Sequence, residues 1–118
     1  MDESTSISSS GVEIANKDES VGGLWFKSNK KIFNLPENVN KKFPNLIGYD
    51  AEKCSLSAIT KSNFVGLKSL RSLDLEDNQI RKISFDTFED LYSLERLDLS
   101  NLITFLQFRL TLMLFFRL

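Results

Sequence analysis

Apolar residues return along this chain at fixed intervals. Residues 64–101 read FVGLKSLRSLDLEDNQIRKISFDTFEDLYSLERLDLSN, in which the triplet L-x-L recurs. Alternation of apolar and polar positions predicts a short strand with its leucines on one face and the intervening residues on the other. A single strand of this kind cannot bury its leucines, so the pattern requires neighbouring copies of the same strand.

The copies recur with a constant period, the distance from Leu70 to Leu94. The unit F-x-x-L-x-x-L-x-x-L-x-L-x-x-N-x-I-x-x-I occurs once in full around residues 64–83, once diverged from Leu46, and once shortened from Phe88. A looser unit in LWFKSNKKIFNLP places Leu24 and Phe26 at the strand positions after a shift of one position. Stacked units predict a parallel sheet with a continuous core, with about three repeats and a degenerate N-terminal unit over residues 21–101.

Four side chains have predicted structural roles inside this core. Asn78 follows the strand, where an amide can satisfy backbone groups of a buried turn and tie it to the next. Cys54 occupies the same position one repeat earlier and is interpreted as buried rather than reactive. Phe64 and Phe88, one repeat apart, predict an aromatic stack.

Trp25 is predicted to cover the N-terminal end of the core, with an exposed anchor for a partner as the alternative.

The unit resembles the leucine-rich repeat, in its 24-residue subtype with Phe on the convex side. The resemblance covers residues 46–101 closely and 24–45 loosely. It implies an α/β-type repeat solenoid, with a parallel concave sheet and irregular or short-helical convex segments. It also implies a protein ligand bound on the concave sheet. An extracellular location is suggested by the resemblance alone, and the cysteine clusters that often cap extracellular members are missing here.

The residues between the leucines form three columns on the predicted concave face. These columns are Gly48–Ser72–Arg96, Asp50–Asp74–Asp98 and Glu52–Glu76–Ser100. Like charges opposite one another destabilise a sheet, so the aspartates suggest a stripe that accepts a basic protein surface. Alternatively, the aspartates only keep an exposed strand soluble. A third interpretation is a calcium site, but carboxylates on separate strands of a flat column are poorly placed to surround one ion. The candidate partner-binding residues are Asp50, Glu52, Ser72, Asp74, Glu76, Arg96 and Asp98.

Composition argues against an enzyme. The chain has no histidine and one cysteine, which excludes His-based catalysis and any internal disulfide, and it contains no phosphate-binding glycine loop. We therefore expect no catalytic residue, no metal and no cofactor. The net charge of −1 gives no reason to expect nucleic acid. The basic run Lys30, Lys31, Lys41 and Lys42 is interpreted as a solvated loop face.

The two ends of the chain differ from the repeats. Residues 1–20 are acidic and serine-rich, which predicts a disordered tail without a signal peptide, with a functional tail as the alternative. Residues 102–118 form a degenerate apolar segment, interpreted as a cap, a defective membrane anchor or a non-native end of a truncated array. A period shortened by one position would place Asn101 at the Asn78 position. The leading hypothesis is a protein-binding module; the alternatives are a membrane-attached receptor fragment and a non-functional remnant.

Overall fold

The computed structural model describes residues 17–26 and 28–102. Within these residues the strands are short and the helices shorter than two turns. The strands are β1 (Gly23–Trp25), β2 (Gly48–Asp50), β3 (Ala58–Ile59), β4 (Ser72–Asp74), β5 (Lys82–Ile83) and β6 (Arg96–Asp98). One α-helix, α1, spans Val39–Lys42, and a 3₁₀ helix spans Lys61–Asn63.

The strands pair in the register that the repeat predicts. β1, β2, β4 and β6 form a four-stranded parallel sheet in that order, and β3 pairs with β5 in a second parallel sheet. Gly48, Ser72 and Arg96 are direct partners across three strands, in agreement with the period that relates them in the sequence. β1 joins the edge of this sheet with Leu24 opposite Tyr49, which matches the shift of one position expected there.

Apolar side chains from every unit meet in one core. The strand centres Leu24, Tyr49 and Leu73 are at most 5% exposed, while their flanking residues in the strands are more exposed. Leu97 at the centre of β6 is only partly buried, because β6 is the outermost strand of the described sheet. A continuous core shared between repeats therefore holds the short strands together, as the apolar pattern requires.

Aromatic rings form a stack through this core. Phe64 and Phe88 are buried with ring centroids 5.9 Å apart, the contact expected from their equivalent places in the repeat. Tyr49 continues the stack from Phe64 at 5.9 Å, and Phe26 continues it from Tyr49 at 6.3 Å. The stack thus spans four units rather than two, and two of its members lie on the strand side of the core.

Asn78 binds one turn to the preceding one. Its side-chain oxygen accepts the Leu56 N–H at 3.0 Å, and its amide nitrogen donates to the carbonyls of Ala51 at 2.8 Å and Leu75 at 3.1 Å. The residue is 4% exposed. These bonds are of the kind expected for Asn78, because its amide satisfies buried backbone groups of two adjacent repeats.

A second buried amide plays a similar part in the return segment, the name used here for the chain between one strand of the four-stranded sheet and the next. Asn63 donates to the Leu35 carbonyl at 3.1 Å and accepts the Thr60 N–H at 2.9 Å. Thr87, at the equivalent position one repeat later, is also buried and lies within hydrogen-bond distance of Ser84. This position was not predicted from the sequence, although a polar residue directly before Phe64 and Phe88 was its signal.

Gly66 and Asp90 connect neighbouring return segments. The Asp90 carboxylate accepts the Gly66 N–H at 3.0 Å from the next repeat. Gly66 has φ of +75°, and a Cβ there would collide with the Asn40 side chain. The position therefore requires glycine for its backbone conformation and for its close neighbour.

A left-handed backbone conformation follows each strand of the four-stranded sheet, three residues after the strand ends. Ser28, Lys53, Asp77 and Asn101 all have positive φ, between 46° and 59°. They follow one another at the period of the repeat, with one extra position between the first two. Asn101 is therefore equivalent to Asp77, and the shortened period that equated it with Asn78 is wrong. Leu102, which is 8% exposed, occupies the Asn78 position instead, where an apolar side chain is buried.

The described residues reach only a little way into the two terminal segments. Asp18, in the segment expected to be a tail, donates its N–H to the Lys42 carbonyl at 2.7 Å, and the Glu19 carbonyl accepts a hydrogen bond from Asn45. The remainder of that tail, residues 1–16, and the apolar segment 103–118 lie outside the described residues. Within the described ranges no helix has the length and apolarity needed to cross a bilayer.

Candidate functional site

The four-stranded sheet presents one face away from the core, here called the outer sheet face. It carries the residues on either side of the buried strand centres. The sequence-predicted columns are brought together on it: Asp50 is the direct partner of Asp74, and Asp74 of Asp98. The third column continues beyond the strands, where Glu76 lies 3.3 Å from the Ser100 hydroxyl that donates to it.

Each aspartate of the middle column also holds the backbone that follows it. The Oδ1 atoms of Asp50, Asp74 and Asp98 accept the N–H groups of the residues two positions later, at 2.9, 3.0 and 3.0 Å. This bond satisfies a donor where the strand ends and the turn begins. A local structural role therefore favours an Asx residue at this position, but it does not require the negative charge, since asparagine offers the same acceptor.

The electrostatics of the column differ from one aspartate to the next. Partial burial raises the pKa of Asp74, and the charges of Asp50 and Asp98 on both sides raise it further. Asp98 has a lowered pKa because the Ser100 hydroxyl and N–H donate to its carboxylate. The surroundings of the central aspartate therefore disfavour its charged form.

The third column adds another disfavoured charge. A hydrogen bond to the Glu52 side chain raises the pKa of Glu76, with smaller contributions from desolvation and from the charges of Asp74 and Asp98. Two carboxylates that share a hydrogen bond hold a proton more readily than one alone. The charged forms of Asp74 and Glu76 are thus disfavoured, in part because several carboxylates lie close together on the outer sheet face.

Carboxylate oxygens on this face approach one another closely enough to be considered as metal ligands. One group consists of Asp50, Glu52 and Asp74, and the other of Asp74, Glu76 and Asp98, each with one oxygen per residue within 4.8 Å of the others. Three carboxylates fall short of the six to eight oxygens that calcium takes. Three Oδ1 atoms are moreover already bound to backbone N–H groups.

Trp25 does not cover the core, so the prediction of a cap is wrong. Its side chain is 55% exposed, and it is the direct strand partner of Asp50 on the outer sheet face. The physical reason is the alternation of β1, which turns Leu24 inward and Trp25 outward. The assignment of Leu24 and Phe26 to strand positions already implied this orientation, because Trp25 lies between them.

Gly23, close to Trp25 in β1, is a second residue whose place on this face was not predicted from the sequence. Gly23 and Gly48 are strand partners, and they precede Ser72 and Arg96 in the first column.

Cys54 belongs to the core and not to the outer sheet face. It is buried, and burial raises the pKa of its thiol. A structural role for this cysteine stays a prediction.

Comparison with known proteins agrees with the repeat in the described chain. No curated protein matches the sequence. Residues 52–101, somewhat less than half of the chain, match a family model described as leucine rich repeat. This match and the four-stranded parallel sheet support the identification of the chain as a leucine-rich repeat protein.

Proposed function

We propose that this chain is a non-enzymatic module that binds a protein partner on the outer sheet face. Leucine-rich repeat domains generally mediate protein–protein interactions and are generally not enzymes, which supports this class of function. In the finer form of the proposal, the repeats belong to the 24-residue subtype, and the sheet is the concave side of a short solenoid formed by residues 21–101.

One observation carries the proposal. The parallel register aligns the residues between the leucines of four strands on a single exposed face, with Trp25, Asp50, Asp74 and Asp98 in one column. A protein partner that approaches this face meets side chains from four repeats at once. Interfaces are enriched in aromatic residues and arginine, and Trp25 and Arg96 lie at the two edges of the face.

Charge indicates the chemistry of the partner. Asp50, Asp74 and Asp98 are direct neighbours, and the raised pKa values of Asp74 and Glu76 reflect in part the mutual repulsion of these carboxylates. A partner with basic groups opposite the column would relieve that repulsion on binding. Complementary charge of this kind increases the association rate and the selectivity of a complex.

Site-specific cross-linking tests whether this face binds a partner. A photo-reactive amino acid replaces Arg96, which is exposed on β6, and in a second protein it replaces Lys68, which is exposed in the turn before β4. A partner held on the outer sheet face should cross-link from position 96 and not from position 68. Cross-linking from position 68 alone would refute the proposal.

Affinity measurements with two matched variants complete the test. Glu76→Lys and Glu37→Lys change the net charge equally, but only the first lies on the outer sheet face, whereas Glu37 lies beside Ser62 in the return segment. We expect the partner captured by cross-linking to bind the first variant about tenfold more weakly, a difference of roughly 1.4 kcal/mol, and the second with unchanged affinity. Equal effects of the two substitutions would contradict the proposed face.

A further inference from the structure

A depression of about 400 Å³ interrupts the outer sheet face beside Trp25. We call it the Trp25 depression. Its floor and walls include Gly23, Trp25, Gly48, Asp50, Glu52 and Ser72. It lies across β1, β2 and β4, so three neighbouring repeats contribute to it, and it opens on the same face as the column of aspartates.

Two glycines create the space. Gly23 and Gly48 occupy the column in which the next two repeats carry Ser72 and Arg96. A Cβ atom added to either glycine would meet no heavy atom within 4 Å. The fold therefore has room for a side chain at these positions, and their lack of one leaves a flat floor of backbone next to Trp25.

The walls combine an aromatic ring with a carboxylate. Trp25 and Asp50 are direct partners on adjacent parallel strands, where neighbouring backbones lie about 4.8 Å apart. Indole is the side chain on which a cation is held most favourably, and a carboxylate pairs with guanidinium through two parallel hydrogen bonds. An arginine side chain can contact both walls at once, because its planar guanidinium group can stack on the ring while the edge of that group faces the carboxylate.

The surroundings of the depression favour a positive charge. Asp74 adjoins Asp50 in the column, and Glu52 lines the depression itself. Oxygens of these three carboxylates lie within 4.8 Å of one another. The cation of the first column, Arg96, is on β6, at the opposite edge of the sheet from β1. A guanidinium group beside Trp25 therefore lies close to these carboxylates. Arg96, which repels it, lies at the far edge of the sheet.

We propose that the Trp25 depression receives an arginine side chain of the protein partner, stacked on Trp25 and paired with Asp50. This inference rests on the proposed function, since it specifies the contact by which the outer sheet face recognises its partner. In this arrangement Gly48 leaves space for the arginine side chain, and Asp50 selects a positively charged group. The backbone of the partner lies over Gly23 and Gly48, which have no side chains to obstruct it.

Hexa-arginine peptide is the probe, and Trp25 is its reporter, because it is the only tryptophan of the chain. The full chain is titrated at 0.15 M NaCl and pH 7, with hexalysine and hexaglutamate in parallel. We expect a saturable change in tryptophan fluorescence with hexa-arginine, a weaker affinity for hexalysine and no response to hexaglutamate. Equal affinity for the lysine and arginine peptides would overturn the assignment of arginine.

Substitutions locate the binding. Gly48→Leu fills the depression, and Asp50→Asn removes the charge but keeps the acceptor for the Glu52 N–H. Each should raise the Kd for hexa-arginine about tenfold, the equivalent of one strong contact. Glu37→Gln, which removes a carboxylate beside Ser62 in the return segment, should leave it unchanged. Circular dichroism confirms that each variant is folded, and an unchanged Kd in folded Gly48→Leu would refute the inference.

The outcome separates this inference from the proposed function. If hexa-arginine does not bind while the protein partner still depends on Glu76, the arginine contact is refuted and the interaction face stands. If the partner is insensitive to Glu76→Lys and to Gly48→Leu alike, the face and the depression are both refuted.

Discussion

Cys54 takes the place of Asn78 one repeat earlier and makes a weaker version of the same contact. The Asn78 amide donates to the Ala51 carbonyl at 2.8 Å, whereas the Cys54 thiol donates to the Phe26 carbonyl at 3.6 Å. Phe26 and Ala51 are themselves equivalent, since each directly follows its strand. The Asn78 oxygen also accepts the Leu56 N–H, and a thiol replaces this strong acceptor with a weak one.

Cys54→Asn is therefore expected to stabilise the protein. An amide at this position can replace the weak thiol bond with a stronger one to the Phe26 carbonyl, for a gain of about 1 kcal/mol in the free energy of unfolding. Cys54→Ala, which removes the thiol bond, should be less stable than wild type. Urea unfolding measures both. An asparagine variant that is no more stable than the alanine variant would show that the two positions are not equivalent.

Asn78→Ala is expected to be among the most destabilising single substitutions. It leaves the Leu56 N–H and the Ala51 carbonyl without their buried partner, at roughly 1–3 kcal/mol for each unsatisfied group. We expect a total loss of about 3 kcal/mol in the free energy of unfolding. Gln79→Ala, at the exposed neighbour, is the control and should change it by less than about 0.5 kcal/mol. Similar losses in both variants would contradict the proposed tie between repeats.

Phe64→Leu tests the aromatic stack at its central member. Phe64 lies 5.9 Å from both Tyr49 and Phe88 and is 1% exposed. The smaller side chain loses two ring contacts and leaves unfilled volume, so we expect a loss of about 1–3 kcal/mol in the free energy of unfolding. Phe85→Leu, at a residue that is 81% exposed, supplies the same chemical change without burial. Chemical denaturation should show a much smaller loss in the free energy of unfolding for Phe85→Leu than for Phe64→Leu.

Asp74→Asn is expected to stabilise the protein at pH 7. It removes the charge between Asp50 and Asp98 and keeps the acceptor for the Glu76 N–H, for a gain of about 0.5–1 kcal/mol. The pKa of Asp74 is raised in the folded state by burial and by those neighbours. The stability linked to it is therefore complete below its unfolded pKa and is lost as the pH rises through the folded pKa. The advantage of the variant should accordingly shrink as the pH falls to 3.

Asp98→Asn provides the opposite case on the same column. Its pKa is lowered because Ser100 donates two hydrogen bonds to the carboxylate. The linked stability is present above the unfolded pKa and is lost as the pH falls through the folded pKa. We expect this variant to be less stable than wild type at pH 7. Thermal unfolding across this pH range checks both variants, and the same direction of change in both would contradict the electrostatic account.

Much of the fold was predictable because a repeat constrains the positions of its own copies. The constant period from Tyr49 to Leu73 and Leu97 predicted parallel neighbours in register, and the structure has them. It also led to the expectation of an amide tie at Asn78 and of a contact between Phe64 and Phe88. Each of these depends on periodicity and on the cost of unpaired buried groups, both of which can be read along the chain.

The sequence by itself determined which residues share a column, since the period fixes their register. It did not determine what surrounds them. Only the tertiary structure exposed Trp25 beside Asp50, opened the space above Gly48, and placed Asn101 at the left-handed position of Asp77. Exposure, empty volume and backbone conformation depend on the elements packed on either side of a residue, and those neighbours are distant in the chain.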